Sequence, residues 1–516
     1  MGIKKTLLLL VFFLGVLGLV DASYLTWEHY THQILPCSTS WWIDCGKVTS
    51  SPYANWAGVY VAVFGILQYL VVIGLSLALF CYWRKWLSWW LLLQSLAGFL
   101  FSLYFMGLQV FVIHAICLYC CFSAFLCTSI FGLCWGSINT KREFILKILA
   151  VFYQPLKKIF FLFPPERIHV VMVHLGELLG KSDFLKRIFR SVFVQSFPRL
   201  EQDLAGLHFA SPFGLAAGFD YEARLTQILP SLGFGFQTVG TITNIPCQGN
   251  PQPRLGRLPK SKALLVNKGF RNPGSHAISK KLRPLRFAGL VGISVGQTNT
   301  PQLKTRPAVL KDILATFQHF ERSRVAHHYY ELNISCPNLA TNISFYQPAQ
   351  LDQLLTRIDR LKLNKPVFIK MPINEPDQQF LALLRVITKH SIAGIIVGNL
   401  QKNRQDPSVS SNEIKTAGPG NLSGKPTFKL SNHLISLAYQ YFHQRLIIIG
   451  CGGVFSAQDA LQKIELGASA VQLITGLIFE GPQLTAQMNL ELNQLLKVRG
   501  YATIKDAVGA KVKRSH

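Results

Sequence analysis

Glu331-Leu-Asn-Ile-Ser-Cys-Pro-Asn338 is the stretch on which the fold turns. The run Tyr329–Ile334 is largely apolar and Pro337 stops it, so it reads as a strand running into a polar knot of Asn333, Ser335, Cys336 and Asn338. A strand end carrying two amides and a thiol is where a parallel α/β barrel keeps its chemistry. A buried cysteine in a turn is the bland alternative for Cys336. The amides on both sides of the thiol favour function, because perturbed thiols gather at such sites.

Outward from this strand the pattern is regular. Short apolar runs ending in Gly or polar residues alternate with helical stretches: 213–219, 236–243, 289–296, 329–335, 366–372, 394–400, 446–453 and 470–477. Eight such runs argue for a (β/α)8 TIM barrel. An open doubly wound sheet is the alternative; eight strands and the late glycines favour closure. No Gly-x-Gly-x-x-Gly follows the first run, which argues against a Rossmann site. Gly450-Cys-Gly-Gly453 and Thr475-Gly476 end the last two runs. There, backbone N–H groups can grip a phosphate, and glycine lets the chain come close. Lys370 ends the fifth run, where a merely buried ammonium would be costly. A cation at that place can stabilise negative charge on a reduced flavin.

The chain has 516 residues, enough for two or more domains, and a formal net charge of +27. Residues 1–140 contribute five Lys/Arg and three acids, so nearly all the excess lies beyond them. With no zinc finger, RNA-binding signature or basic heptad helix, nucleic acid is not the expected partner. Attraction to anionic lipid is simpler, because four apolar segments fit the ~20 residues that a bilayer requires. They run over 6–25, 58–83, 87–112 and 115–135. A cleaved signal peptide competes for the first, but Asp21 sits where a small residue would be wanted. Lys4 and Lys5, Arg84 and Lys85, and Lys141 and Arg142 flank the segments so that the positive-inside rule puts both termini in the cytoplasm. The expected setting is a membrane crossed several times, with a cytoplasmic barrel and cysteine-bearing loops on the outer side.

Eight of eleven cysteines precede residue 135. Cys37 and Cys45 sit on the long outside loop, and Cys117-Leu-Tyr-Cys120 opens the fourth helix at the same face. A helix N-terminus stabilises a thiolate. Zinc is the competing reading, but the spacing is that of neither a ribbon nor a finger, and no metal is expected. Two thiol pairs converging on one face read as an electron relay. Beyond the spans, residues 141–163 mix Lys147, Lys157 and Lys158 with Phe152, Phe160 and Phe161, which predicts an interfacial helix with a basic and an apolar face. Pro164-Pro165 breaks it and a second amphipathic helix follows to about Leu179, making a two-helix pad on the membrane. The expected division is 1–140 membrane bundle, 141–200 pad, 201–500 barrel and 501–516 basic tail.

Asp21-Ala-Ser-Tyr-Leu-Thr26, the Cys37/Cys45 pair, Ser51, Gly58, Phe64-Gly65 and Cys117/Cys120 together resemble the vitamin K epoxide reductase family, in its bacterial disulfide-forming branch. The resemblance implies that Cys37 takes electrons from a periplasmic thioredoxin-like dithiol protein and Cys45 passes them to Cys117. Cys120 would face a membrane quinone, with Ser51 beside it.

Pro165-Glu-Arg-Ile-His169, Gly214-Leu-Ala-Ala-Gly-Phe-Asp220, Gly249-Asn-Pro-Gln-Pro-Arg254, Asn333–Asn338, Lys370, Asn399, Leu422-Ser-Gly424 and Gly450–Gly453 resemble dihydroorotate dehydrogenase, its quinone-using, membrane-associated class in particular. That implies FMN held by Ala217, Gly218, Phe219, Asp220, Thr241, Asn333, Lys370, Gly424, Gly453, Ile474 and Thr475. Ser294 and Gly398 fall at flavin-side positions where the family has an asparagine and a threonine. Dihydroorotate would meet Asn267, Lys268, Gly269, Phe270, Asn272, Asn338, Asn399 and Leu400. The quinone would approach under the pad, near His169 and Arg257. The chain departs from that class with Cys336 in place of the usual serine base and Tyr221 in place of a lysine; Leu400 also replaces a threonine. A thiol with reference pKa ~8.5 reaches its anion more easily than a hydroxyl does. These departures leave two alternatives: an FMN oxidoreductase acting on another cyclic substrate, and a four-helix part that only tethers the barrel.

Overall fold

In this computed structural model the chain forms two compact units, Met1–Lys141 and Arg142–His516. The structure describes residues 2–31, 37, 42–56, 58–82, 84–137, 142–339 and 343–512. The stretch between Cys37 and Trp42, together with Trp83, Lys141 and the last four residues of the expected tail, lies outside the described residues.

The first unit is built on four long helices: α1 (Gly2–Thr31), α2 (Val61–Cys81), α3 (Lys85–Leu108) and α4 (Leu118–Ser137). Each supplies a stretch long and apolar enough to cross a bilayer: Leu8–Thr31, Val61–Cys81, Trp86–Ile113 and Leu118–Trp135. Leu, Phe and Val side chains such as Phe13, Leu17, Leu67, Leu100 and Phe125 face outward, as they do where lipid rather than water is the solvent. The helices pack closely through small residues. A Cβ on Gly18 would enter the Tyr69 ring, so glycine there lets α1 and α2 meet. Gly58, expected to open the second span, instead lies in a turn between two-residue strands, and α2 starts at Val61.

In the second unit all eight expected runs are strands of one closed parallel barrel: β1 (Phe213–Leu215), β2 (Phe236–Ile242), β3 (Leu290–Val295), β4 (Tyr329–Asn333), β5 (Val367–Met371), β6 (Gly394–Val397), β7 (Ile447–Cys451) and β8 (Ala470–Leu473). Strand β8 pairs with β1, so no edge is left. Alternation sends Tyr329, Glu331 and Asn333 inward from β4. Phe236, Tyr329, Phe368, Ile396 and Ile449 fill the lower barrel with Phe209, which comes from a hairpin, Gln202–Leu204 and Leu207–Phe209, that the sequence reading missed. Above them Tyr329 Oη and Gln472 Nε2 bond Thr238 Oγ1 at 2.8 and 2.9 Å. Outward-facing Val, Ile and Leu meet the surrounding helices. A second missed sheet, Leu255–Leu258, Ala263–Val266 and Asn421–Gly424, is antiparallel and stands over the barrel mouth region.

The pad has three helices rather than two: α5 (Arg142–Phe161), α6 (Pro165–Lys181) and α7 (Asp183–Phe193). Ser182 caps α7, its Oγ accepting from Leu185 N at 3.3 Å, so the chain restarts where a single helix end was expected. The expected faces of α5 also differ. Lys157 turns toward the barrel and donates to Phe479 O at 3.0 Å, and Phe161 packs on Phe479. The outward side is apolar instead, with Phe152 70% exposed beside Val151, Leu156, Ile159, Leu162 and Phe163. Residues 501–512, part of the expected basic tail, are packed. Ile504 and Ala507 are buried, and Gly509 N and Lys511 N bond the carbonyls of Ile464 and Glu465.

Candidate active sites

The barrel mouth opens into one cavity walled by the ends of several strands and their following loops. Ala217, Gly218, Phe219, Thr241, Asn333, Cys336, Asn338, Lys370, Gly398, Asn399, Leu400, Gly424, Gly453, Ile474 and Thr475 all line it, and so do Lys268, Gly269, Phe270 and His169. These come from segments more than 300 residues apart in the chain. Register explains part of the grouping: Asn333 on β4 faces Lys370 on β5, and Glu331 faces Ser294 on β3.

Beneath the cavity runs a continuous polar network. Asn333 Nδ2 donates to Thr241 Oγ1 at 2.8 Å, Thr241 Oγ1 lies 2.9 Å from Ser294 Oγ, and Ser294 Oγ donates to Glu331 Oε1 at 2.7 Å. Lys370 Nζ stands 4.0 Å from Glu331 Oε2. Ser294 is therefore a buried link rather than part of the wall. Asp220 is also behind the wall. Its carboxylate accepts from Arg224 N at 2.7 Å and Leu225 N at 2.8 Å, holding the loop after Gly218 in shape, while burial raises its pKa to about 6.

The asparagines divide by use. Asn272 spends its amide on its own loop, donating to Thr243 Oγ1 and Phe270 O and accepting from Gly274 N. Asn267 accepts from Asn250 Nδ2 at 2.8 Å, and neither Asn267 nor Asn272 reaches the wall. Asn338 does, yet its amide is engaged with Val266 O and Asn421 Nδ2, so a ligand there must exchange those bonds. Asn399 Nδ2 donates to Ser335 Oγ at 2.5 Å.

Burial pushes the Cys336 thiol up to about 12, against smaller opposing pulls from the Asn338 N–H and Lys370. The easy thiolate expected from the reference value is thus not what this cavity provides; desolvation outweighs the nearby ammonium. At the pad side His169 stacks on Tyr221 at 5.6 Å and meets Phe219 edge-on at 4.9 Å. Burial, with Lys268 and Arg271 nearby, lowers its pKa to about 3, so the ring is uncharged at neutral pH. Lys268 Nζ lies 4.1 Å from the Tyr221 ring centre and burial lowers its pKa to about 7. Arg257, expected at the inner end of the tunnel, is off the wall. Its Nη1 donates to Phe163 O at 2.7 Å and its guanidinium covers Phe161, capping α5.

Wall residues given no role from the sequence include Arg271 and Thr427, together with Ser423 and Gly452, which lay inside quoted motifs without being assigned a contact of their own. Ser423 Oγ lies 2.9 Å from Thr475 Oγ1 across the missed sheet, and only that sheet brings it there. Glu331 was missed as well. The signal was available: an acid at an inward position of a buried strand needs a partner.

In the membrane unit Cys37 and Cys45 form a disulfide, and Cys117 and Cys120 are free thiols. All four belong to one packed cluster with Leu25, Val48 and Ala115. The long loop is pinned to the segment before α4, since Ile116 N donates to Trp42 O at 2.8 Å and Asp44 N to Ile116 O at 3.2 Å. Asp44 caps the short helix Cys45–Thr49, accepting from Lys47 N at 3.0 Å. Cys120 and Ser51 line a cavity of about 420 Å³ with Asp21, Tyr60, Gln68 and Gln94, within the range of small-ligand sites.

Residues 199–496 match the dihydroorotate dehydrogenase family, and residues 9–135 match the vitamin K epoxide reductase family. A dihydroorotate dehydrogenase (quinone) of Roseiflexus sp. (strain RS-1) is 34% identical over 365 residues, which are 70% of this chain and 98% of that protein. One from Parvibaculum lavamentivorans is 35% identical over 312 residues, 60% of this chain and 86% of that protein. The crystal structure of an Eimeria tenella DHODH in complex with ferulenol covers 67% of this chain and 96% of its own, with a TM-score of 0.59 and 26% identity. The chain belongs to the dihydroorotate dehydrogenase family through its barrel, and carries a vitamin K epoxide reductase family domain ahead of it.

Proposed function

We propose that this protein joins two quinone-reducing enzymes in one chain: a quinone-dependent dihydroorotate dehydrogenase and a thiol oxidase. The observation that carries the first is the convergence of Cys336, Asn333, Asn399 and Lys370 on a cavity with a glycine-rich end. The residues present fit FMN. Gly424, Gly452 and Gly453 have φ of +84, +104 and +72, and a Cβ on Gly453 would press on Phe428, so this end offers bare backbone to a phosphate. Asn333, Thr241 and Lys370 supply polar partners for a ring system. Bound FMN supplies hydride acceptance from C6 of the substrate and electron delivery to a quinone.

The chain's own groups do the rest. Cys336 takes the proton from C5 of dihydroorotate as general base. Asn333, Asn338 and Asn399 orient the substrate's polar edge, with Lys268, Gly269, Phe270 and Leu400 closing over it. Asp220, Ser294, Asn267 and Asn272 hold the surrounding loops rather than touching ligand. Uncharged His169 and the Phe219 and Tyr221 rings make a low-polarity entrance for a quinone, which Arg257 supports by fixing the end of α5. The outward apolar side of the pad rests on lipid.

In the membrane unit Cys37 exchanges with a periplasmic thioredoxin-like dithiol, the pair reoxidises through Cys117, and Cys120 delivers electrons to quinone beside Ser51. The flanking Lys and Arg residues support a cytoplasmic barrel and periplasmic cysteines in a bacterial inner membrane. Both activities then feed one quinone pool. Quinone reduction by the purified full-length protein, with dihydroorotate and a reduced dithiol protein offered separately, tests this. Cys336→Ala should lose only the first activity and Cys120→Ala only the second; joint loss in either variant contradicts two independent sites. Tyr221, where the family has a lysine, favours a second reading in which the substrate is another cyclic compound. A flavin-loaded protein that dihydroorotate does not reduce would select it.

A further inference from the structure

Glu331 is an acid with no described role, and its surroundings are unusual. It is 0% exposed, in the middle of a barrel strand, with its side chain turned inward beneath the cavity. One carboxylate oxygen accepts a hydrogen bond from the Ser294 hydroxyl at 2.7 Å. The other has no hydrogen-bond partner among the described residues, and the ammonium near it is Lys370, 4.0 Å away. A buried carboxylate without a counter-charge is strongly disfavoured, so this pair is the reason Glu331 is tolerated. The same pairing acts on Lys370. A cation on the cavity wall favours negative charge on whatever ring lies against it; a carboxylate behind that cation cancels part of its field.

We propose that Glu331 is a positioning and charge-setting residue for Lys370, holding the bound flavin less ready to accept negative charge than Lys370 alone would make it. The inference rests on the reading that the cavity takes FMN. Its geometry is specific: Ser294, standing where the family has an asparagine, is the hydroxyl that holds the carboxylate. Its neighbour Thr241 carries the network on to Asn333. One departure from the family pattern, Ser294, thus meets this carboxylate directly.

The test uses flavin-loaded full-length protein and the Glu331→Gln variant, which keeps the shape and removes the charge. Sulfite, which bleaches flavins that tolerate added negative charge, is titrated against the visible absorbance band, and the midpoint potential is read against a reference dye. Removing the carboxylate should lower the sulfite Kd by about tenfold or more and raise the potential, at unchanged flavin content. Glu331→Asp, which restores the charge, should return both toward wild type. If Glu331→Gln does not fold, Glu331→Met carries the same expectation. Unchanged sulfite affinity and potential in a flavin-loaded neutral variant would overturn the proposal, leaving Glu331 as scaffold. A wild-type protein that binds no flavin would instead overturn the FMN reading, and this inference with it.

Discussion

The Cys336 thiol offers the sharpest quantitative test. Its pKa stands near 12 against an ordinary 9.0, with burial the main cause and the Lys370 charge and the Asn338 N–H opposing it. At pH 8 an ordinary thiol is about 10% ionised, whereas one at about 12 is about 0.01% ionised, a difference of about a thousandfold. Reactivity toward iodoacetamide follows the thiolate. In the substrate-free full-length protein, alkylation of Cys336 at pH 8 should therefore run about a thousandfold slower than that of glutathione. It should rise about tenfold per pH unit through pH 10 without levelling. Peptide mass spectrometry of timed samples gives the rate for this cysteine separately from Cys247 and Cys451. The same slope should govern kcat/KM for dihydroorotate, because the base must lose its proton before it can take another. A plateau in either profile below pH 9 would refute the reasoning, and would mean that Lys370 outweighs desolvation at this site.

Gly453→Ala forces a φ of +72 on a residue with a Cβ, which would lie 2.9 Å from Phe428 Cα. A strain of about 1–3 kcal/mol follows, and the ratio of flavin to protein absorbance should fall severalfold while the far-ultraviolet dichroism stays; full flavin content would count against a phosphate grip there. His327, buried with its pKa lowered to about 3 from 6.5, binds its proton in the unfolded chain but not in the folded one across that interval. Stability therefore falls as pH drops from 6.5 toward 3, by up to about 1.4 kcal/mol per pH unit from this group, and denaturant titrations of His327→Gln should show the acid slope reduced by one proton. Asp220, raised to about 6, works in the opposite sense between 3.8 and 6 and is common to both proteins. Cys45→Ala leaves Cys37 as a free thiol, whose attack on the disulfide form of a thioredoxin-like partner should trap a mixed disulfide at Cys37 as the partner's second sulfur leaves as a thiol; persistent absence of that adduct would favour a domain that only tethers.

Sequence alone settled whatever is written in local periodicity. Four apolar runs of bilayer length became four long helices within a few residues, because hydrophobic length is a one-dimensional property. Eight apolar runs separated by helical stretches became the eight barrel strands in order, because parallel strands buried on both faces must be apolar throughout. The Cys336 knot and the late glycines marked the mouth for the same reason: chemistry at strand ends breaks the apolar pattern. Three things needed the folded chain. The pad's third helix and the direction of Lys157 depend on which side of α5 meets the barrel, and an amphipathic pattern does not say what lies opposite. The sheet carrying Ser423 is assembled from strands over 150 residues apart, each too short to show a period. Above all, the sequence names Ser294, Glu331 and Lys370 on three separate strands. Barrel closure and register put a hydroxyl, a carboxylate and an ammonium in one buried line. Their electrostatic effect arises from that proximity and from the loss of water around them, which no stretch of sequence contains.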